Sequence, residues 1–131
     1  MLDDERNDVY LHVDARAVEL FNQFKDFQLK KGKLIILKNR IAVHWGDLSQ
    51  VEVEYRLFET ALNNGPYAYY HLLSGVDLPI KTQDYIHEFF QKHAGKEFIG
   101  FWNEPSHRKD VYRKVYRYYL FTQPVGGINL S

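Results

Sequence analysis

The sequence contains no cysteine. That excludes a disulfide framework and a thiolate zinc site, and it suits a reducing compartment or simple indifference to redox. It has no excess of charge either, because 17 Lys and Arg stand against 17 Asp and Glu. A dedicated nucleic-acid binder is usually strongly basic, so this balance argues against one. No apolar run approaches the roughly 18 residues of a membrane span. The first residues, MLDDERND, are acidic and polar, unlike a signal peptide or an anchor. The expected location is cytoplasmic, at most peripheral to a membrane. There is no Asp-x-Asp, no G-x-G-x-x-G, no Walker loop and no G-x-S-x-G, which removes several familiar nucleotide and hydrolase sites. Repeats and low-complexity segments are also absent.

What is present is material for one ordinary domain. The 131 residues are 45 % apolar and 16 % aromatic, a globular composition large enough to bury a core. The elements alternate. Asp8 to Val13 reads as a strand, Ala15 to Gln28 as a helix with Val18, Phe21 and Phe24 at helical spacing, and Lys33 to Leu37 as a second strand. The clearest helix runs from Ser49 to Leu62, with Ser49 as cap, Glu52 completing a capping box, and Val51, Tyr55, Phe58, Ala61 and Leu62 on one side. NNGP ends it. Ala68 to Leu73 is expected as a third strand. Thr82 caps the next helix, QDYIHEFFQKH, which Gly95 closes, and Glu97 to Phe101 is expected as a fourth strand. From Ser106 on, VYRKVYRYYLF allows either a strand or a helix. Strand and helix in alternation predict an α/β fold with a mostly parallel sheet and right-handed crossovers. Ligands in such sheets sit beyond the carboxyl ends of the strands. Chemistry is therefore expected in the turns at 12–14, 39–47, 74–77 and 102–107.

Each turn offers candidates and a plainer alternative. In Ser74-Gly75-Val76-Asp77, Gly75 permits a tight turn or the close approach of a ligand, and Asp77 can accept from sugar hydroxyls or hold a basic partner. Ser, Asp, Gly and Pro are also the usual turn residues, so Ser74 or Asp77 can simply cap the turn before Pro79. His12 and Asp14 share a strand face and could begin a metal site, but no third ligand is evident, and His87 and His93 do not share a helical face. In RIAVHWGD, Trp45 beside Gly46 offers a flat ring for a nucleobase, or a ring packed under the following helix. Arg108, Lys109, Arg113, Lys114 and Arg117, interleaved with tyrosines, read as a phosphate surface or as a solvated strand edge, which the neutral net charge favours.

Three segments together carry a resemblance: VYLHVDAR from Val9, VHWGDLSQVEVEYRLFETAL from Val43 and YYHLLSGVDLPIKTQDYIHEFF from Tyr69. In these motifs and their spacing the chain resembles the core-2/I-branching family of glycosyltransferases, especially its bacterial members. That family also includes the peptide O-xylosyltransferases. The resemblance implies a GT-A-type fold, with a Rossmann-like, mostly parallel sheet and helices on both faces. Residues 1–131 would then be a single domain, the truncated sugar-nucleotide half. It implies inverting, metal-independent transfer of N-acetylglucosamine or xylose from a UDP-sugar to a glycan or other hydroxyl acceptor, in polysaccharide synthesis, with no cofactor. By resemblance, Asp14 is the strand-end Asp near the nucleotide. Trp45 lies about where an aromatic meets the uracil, and Arg40 precedes that aromatic loop. Ser74, Gly75 and Asp77 form the SG-x-D-x-P turn at the sugar and acceptor side.

The departures shape the expectation. Family members usually carry another strand and helix ahead of the LDD segment. They keep the catalytic Glu, and the Arg and Lys that neutralise the diphosphate, in a further C-terminal half. None of these is matched here, so no catalytic residue is identified. Inverting transfer needs a base and positive charge on the leaving group, and this chain alone is expected to be inactive. An exposed sheet edge would favour a homodimer. The alternative is a non-catalytic module that binds a UDP-sugar or a partner protein on the same fold. Nucleic-acid binding through Trp45 and the 108–117 segment is the third reading, and it would show steep salt dependence.

Overall fold

β1 (Asp8–Leu11) and β2 (Lys33–Ile36) lie side by side and parallel in the computed structural model, with Asp8 opposite Lys33 and Leu11 opposite Ile36. The structure describes residues 1–100, 108–109 and 111–113. The chain divides into two compact units, Met1–Ala94 and Gly95–Ser131. In the first unit the elements follow in the order β1, α1 (Val18–Phe24), β2, α2 (Leu48–Asn64) and α3 (Gln83–Lys92). The ladder continues one step past the strands, where Leu37 N donates to the Leu11 carbonyl at 2.9 Å. Val13, Leu37 and Ala61 are the buried apolar residues among those described. The core thus sits where the strand ends meet α2, which packs on β1.

Local chemistry explains the boundaries. α2 begins one residue earlier than the spacing predicts. Asp47 caps it by accepting from Leu48 N, and Gln50 Oε1 reaches back to Gly46 N at 2.9 Å. Ser49 is therefore not the cap. It is buried, and its hydroxyl accepts from His44 N at 2.9 Å, tying the incoming loop to the helix. Thr82 does cap α3, accepting from Tyr85 N, as its position before QDYI predicts. Gly95 follows that helix with φ +78°, a left-handed conformation that glycine adopts without steric cost. α1 is shorter than expected, because Ala15 is held outside it: Ala15 N donates to the Ile41 carbonyl at 3.0 Å.

The third and fourth strands are not formed. Residues 68–73 make no ladder. They are held by rings instead: Tyr70 meets Phe58 edge-on at 6.5 Å, and Tyr69 and His71 lie against Phe90 at 4.6 and 4.5 Å. Tyr67, just before them, donates to Asp8 Oδ2 at 2.6 Å and shares a hydrogen bond with the Tyr10 hydroxyl at 2.7 Å. Apolar, aromatic content marks both a strand and a ring-packed segment, and only backbone pairing tells them apart. In the second unit, residues 97–100 are likewise not a strand, while 108–109 and 111–113 are helical and exposed. The helical alternative for the start of that segment is the one observed. Phe101, Trp102 to His107, Lys114 and Arg117 lie outside the described residues.

Candidate functional site

The loops that leave the carboxyl ends of β1 and β2 are joined by a dense set of hydrogen bonds. His12 Nε2 accepts from Ile41 N at 2.9 Å, and Ala15 N donates back to the Ile41 carbonyl at 3.0 Å. Asp14 Oδ2 accepts from Val43 N at 3.0 Å. Arg40 Nη1 donates to the Asp14 carbonyl at 3.1 Å, while its guanidinium carbon lies 4.1 Å from the centre of the Phe21 ring. Arg40 thereby ties β1's exit loop, its own loop and α1 together. Arg16 wraps the Asp14 carboxylate, with Nε 3.0 Å from Oδ1 and Nη2 2.8 Å from Oδ2. Arg16 Nη2 also donates to the Val43 carbonyl.

These contacts set the protonation of the site. Hydrogen bonds from the Arg16 side chain, then from the Arg16 and Val43 amides, hold the Asp14 carboxyl well below the usual carboxylate range against partial burial. Burial pushes the His12 imidazole down, and the charges of Arg40 and Arg56 add to this while Asp14 opposes it. A neutral His12 fits its geometry, because Nε2 is an acceptor and the proton then resides on Nδ1.

Trp45 stands on this loop 95 % exposed, next to Gly46 at φ +73°. The alternative of a ring packed under α2 is therefore not what the structure shows. A flat indole projects from a loop whose stem is pinned at residues 41 and 43. Asp14 and Arg40 are brought together, and Trp45 belongs to the same loop.

Ser74, Gly75 and Asp77 form a separate turn. Asp77 Oδ2 accepts from Ser74 N at 2.7 Å, and Asp77 N donates to the Ser74 carbonyl at 3.1 Å. The Ser74 amide, then its hydroxyl, holds the Asp77 carboxyl below its ordinary range. The turn-capping role considered for these residues is thus realised. A Cβ on Gly75 would meet nothing within 4 Å, so the turn itself does not require glycine. Asp77 also borders an open groove of about 450 Å³ whose walls include Leu2, Phe27, Leu29 and Pro79. Among the described residues no three His, Cys, Asp or Glu side chains converge as metal ligands.

Sequence reasoning missed Arg16, His12 as a backbone acceptor, and the Ser49 hydroxyl under His44. An Arg two residues after a strand-end Asp was the available signal for the first.

The model of the Core-2/I-Branching enzyme family matches residues 1–121. Xylosyltransferase 1 of Canis lupus familiaris is 27 % identical over 108 residues, which cover 81 % of this chain and 11 % of that protein. Xylosyltransferase oxt of Drosophila melanogaster is 26 % identical over 91 residues, covering 69 % of this chain and 10 % of the relative. Xylosyltransferase 1 of Rattus norvegicus is 26 % identical over 108 residues, 81 % of this chain and 12 % of its own length. The chain therefore spans about a tenth of the length of these curated relatives. No solved structure matches significantly. No helix among the described residues is long and apolar enough to cross a membrane.

Proposed function

The chain belongs to the Core-2/I-branching enzyme family, and from that premise we propose that it forms the donor-nucleotide part of a glycosyltransferase. Residues 1–131 would supply the nucleotide half of a GT-A-type, Rossmann-like fold. The whole protein would transfer a sugar from a UDP-sugar to an acceptor hydroxyl with inversion and without a metal. The names of the relatives favour xylose over N-acetylglucosamine as the sugar.

One observation carries this reading. Two parallel strands end side by side, and their exit loops are bonded into a single unit that presents the Trp45 indole to solvent. Ligands of parallel sheets bind beyond the strands' carboxyl ends, and a base stacked on an exposed aromatic contributes roughly 1–3 kcal/mol. Asp77, at its self-capped turn, would face the sugar and acceptor. The base and the cations that transfer requires would lie in other parts of the protein.

The test is an amide proton–nitrogen NMR titration of the chain with UDP in the presence of EDTA. We expect shifts at Val43, Gly46 and the Trp45 indole, and their loss in Trp45→Ala. A spectrum indifferent to UDP, or one that responds only when a divalent metal is added, would contradict the proposal.

A further inference from the structure

Asp14 has no acceptor position to spare. Its Oδ1 takes the Arg16 amide at 2.8 Å and Arg16 Nε at 3.0 Å. Its Oδ2 takes Arg16 Nη2 at 2.8 Å and the Val43 amide at 3.0 Å. A carboxylate offers about four lone-pair sites, and all four face donors of the protein. The same Arg16 Nη2 spans to the Val43 carbonyl, so one guanidinium bonds to both sides of the gap between the two exit loops. That fork suits arginine, because a lysine ammonium lacks its planar set of donors.

We propose that Arg16 is a positioning residue. It locks the loop after β1 to the loop after β2, two residues before Trp45, and Asp14 serves nucleotide binding through this lock rather than by touching the nucleotide. The inference rests on the reading of the site as a nucleotide pocket. The Arg16 side chain is 59 % exposed, and an exposed ion pair adds little stability by charge alone. What the pair supplies is geometry: with the backbone fixed at residues 41 and 43, the indole of Trp45 leaves from a set stem.

The test uses the full isotope-labelled chain and the variants Arg16→Met, Arg16→Lys, Asp14→Asn and the double variant Asp14→Asn with Arg16→Met. Without ligand, Arg16→Met should shift the Val43 and Gly46 amides and the Trp45 indole, while signals of α3 keep their places and report an intact fold. Its Kd for UDP should rise roughly tenfold, the scale of a lost charged hydrogen bond. Arg16→Lys should resemble Arg16→Met. The double variant should lose less than the product of the two single losses, because both substitutions weaken the same lock.

Five results would overturn the proposal. The first is Val43 and Gly46 signals unmoved in Arg16→Met. The second is UDP affinity restored by lysine. The third is an Asp14→Asn defect that Arg16→Met does not share, which would put Asp14 in direct contact with the nucleotide. In the fourth the wild-type chain gives no response to UDP, which sinks the nucleotide reading as well. A normal wild-type response with an unchanged variant sinks Arg16's role alone.

Discussion

A neutral imidazole holds the end of β1 to the loop after β2. His12 Nε2 accepts from the Ile41 amide at 2.9 Å, and an imidazolium could not, since both its nitrogens donate. Burial lowers the folded pKa of His12 below its ordinary value of about 6.5. The neutral form is thus favoured in the folded state. Its contribution is present above about pH 6.5 and is lost as pH falls through the folded value. Asp14 follows at more acidic pH. Its depressed pKa keeps its contribution whole above about pH 4 and removes it only below. Two acid transitions are expected at the site. The ring signals of His12 should titrate below pH 6.5 together with the Ile41 amide, and the Val43 amide should move only below pH 4. A His12 that titrates at or above 6.5 would contradict this reading of its hydrogen bond.

Between elements, the decisive contacts come from the short segment before β1. Asp3 accepts from the backbone amides of Lys30, Lys31 and Gly32 at 3.1, 2.7 and 3.0 Å, with Gly32 immediately preceding β2. Arg6 joins Asp4 to Asp84 in the first turn of α3. Asn7 donates to Gln83 at 2.7 Å and meets His87 at 3.1 Å. A Cβ on Gly32 would lie 2.6 Å from the carbonyl oxygens of both Asp4 and Asn7, backbone atoms that cannot swing away. Gly32→Ala is expected to destabilise the chain by about 1–3 kcal/mol, the usual range for overpacking. Gly75→Ala, which meets nothing within 4 Å, should stay within about 0.5 kcal/mol. Urea midpoints of the two variants check the pair, and equal effects would count against this account. None of these contacts was legible in the sequence. MLDDERND reads only as acidic and polar, because the side-chain partners just named for Asp3 and Asn7 lie 27 to 80 residues away.

At the scale of the molecule, little apolar surface is covered among the described residues. Val13, Leu37 and Ala61 are buried, whereas Val76 and Ile80 are 89 % and 92 % exposed, with Leu78 between them also exposed. Each strand of the sheet is paired on one side only among the described residues. Both features favour contact with another surface, and for the chain in isolation we expect concentration-dependent self-association. Val76→Lys with Ile80→Lys should reduce it in sedimentation velocity while leaving the thermal midpoint nearly unchanged, since these side chains make little of the core. Association unaltered by both substitutions would move attention to the strand edges.

The sequence by itself determined what depends on near neighbours along the chain. The spacing of apolar residues placed α2 and α3. Thr82 marked a cap, and two apolar runs became β1 and β2 in parallel. Linear motifs carried the family resemblance, since they are read without knowing what touches what. Tertiary structure decided everything that depends on distant partners. Whether Ala68 to Leu73 pairs as a strand or packs through its rings turns on which backbone lies beside it. Whether Ser49 caps its own helix or accepts from His44 turns on the path of the incoming loop. Asp14 was visible as a strand-end carboxylate, but its saturation by Arg16 and Val43 was not. Hydrogen-bond capacity is a property of a residue, and its use is a property of the fold.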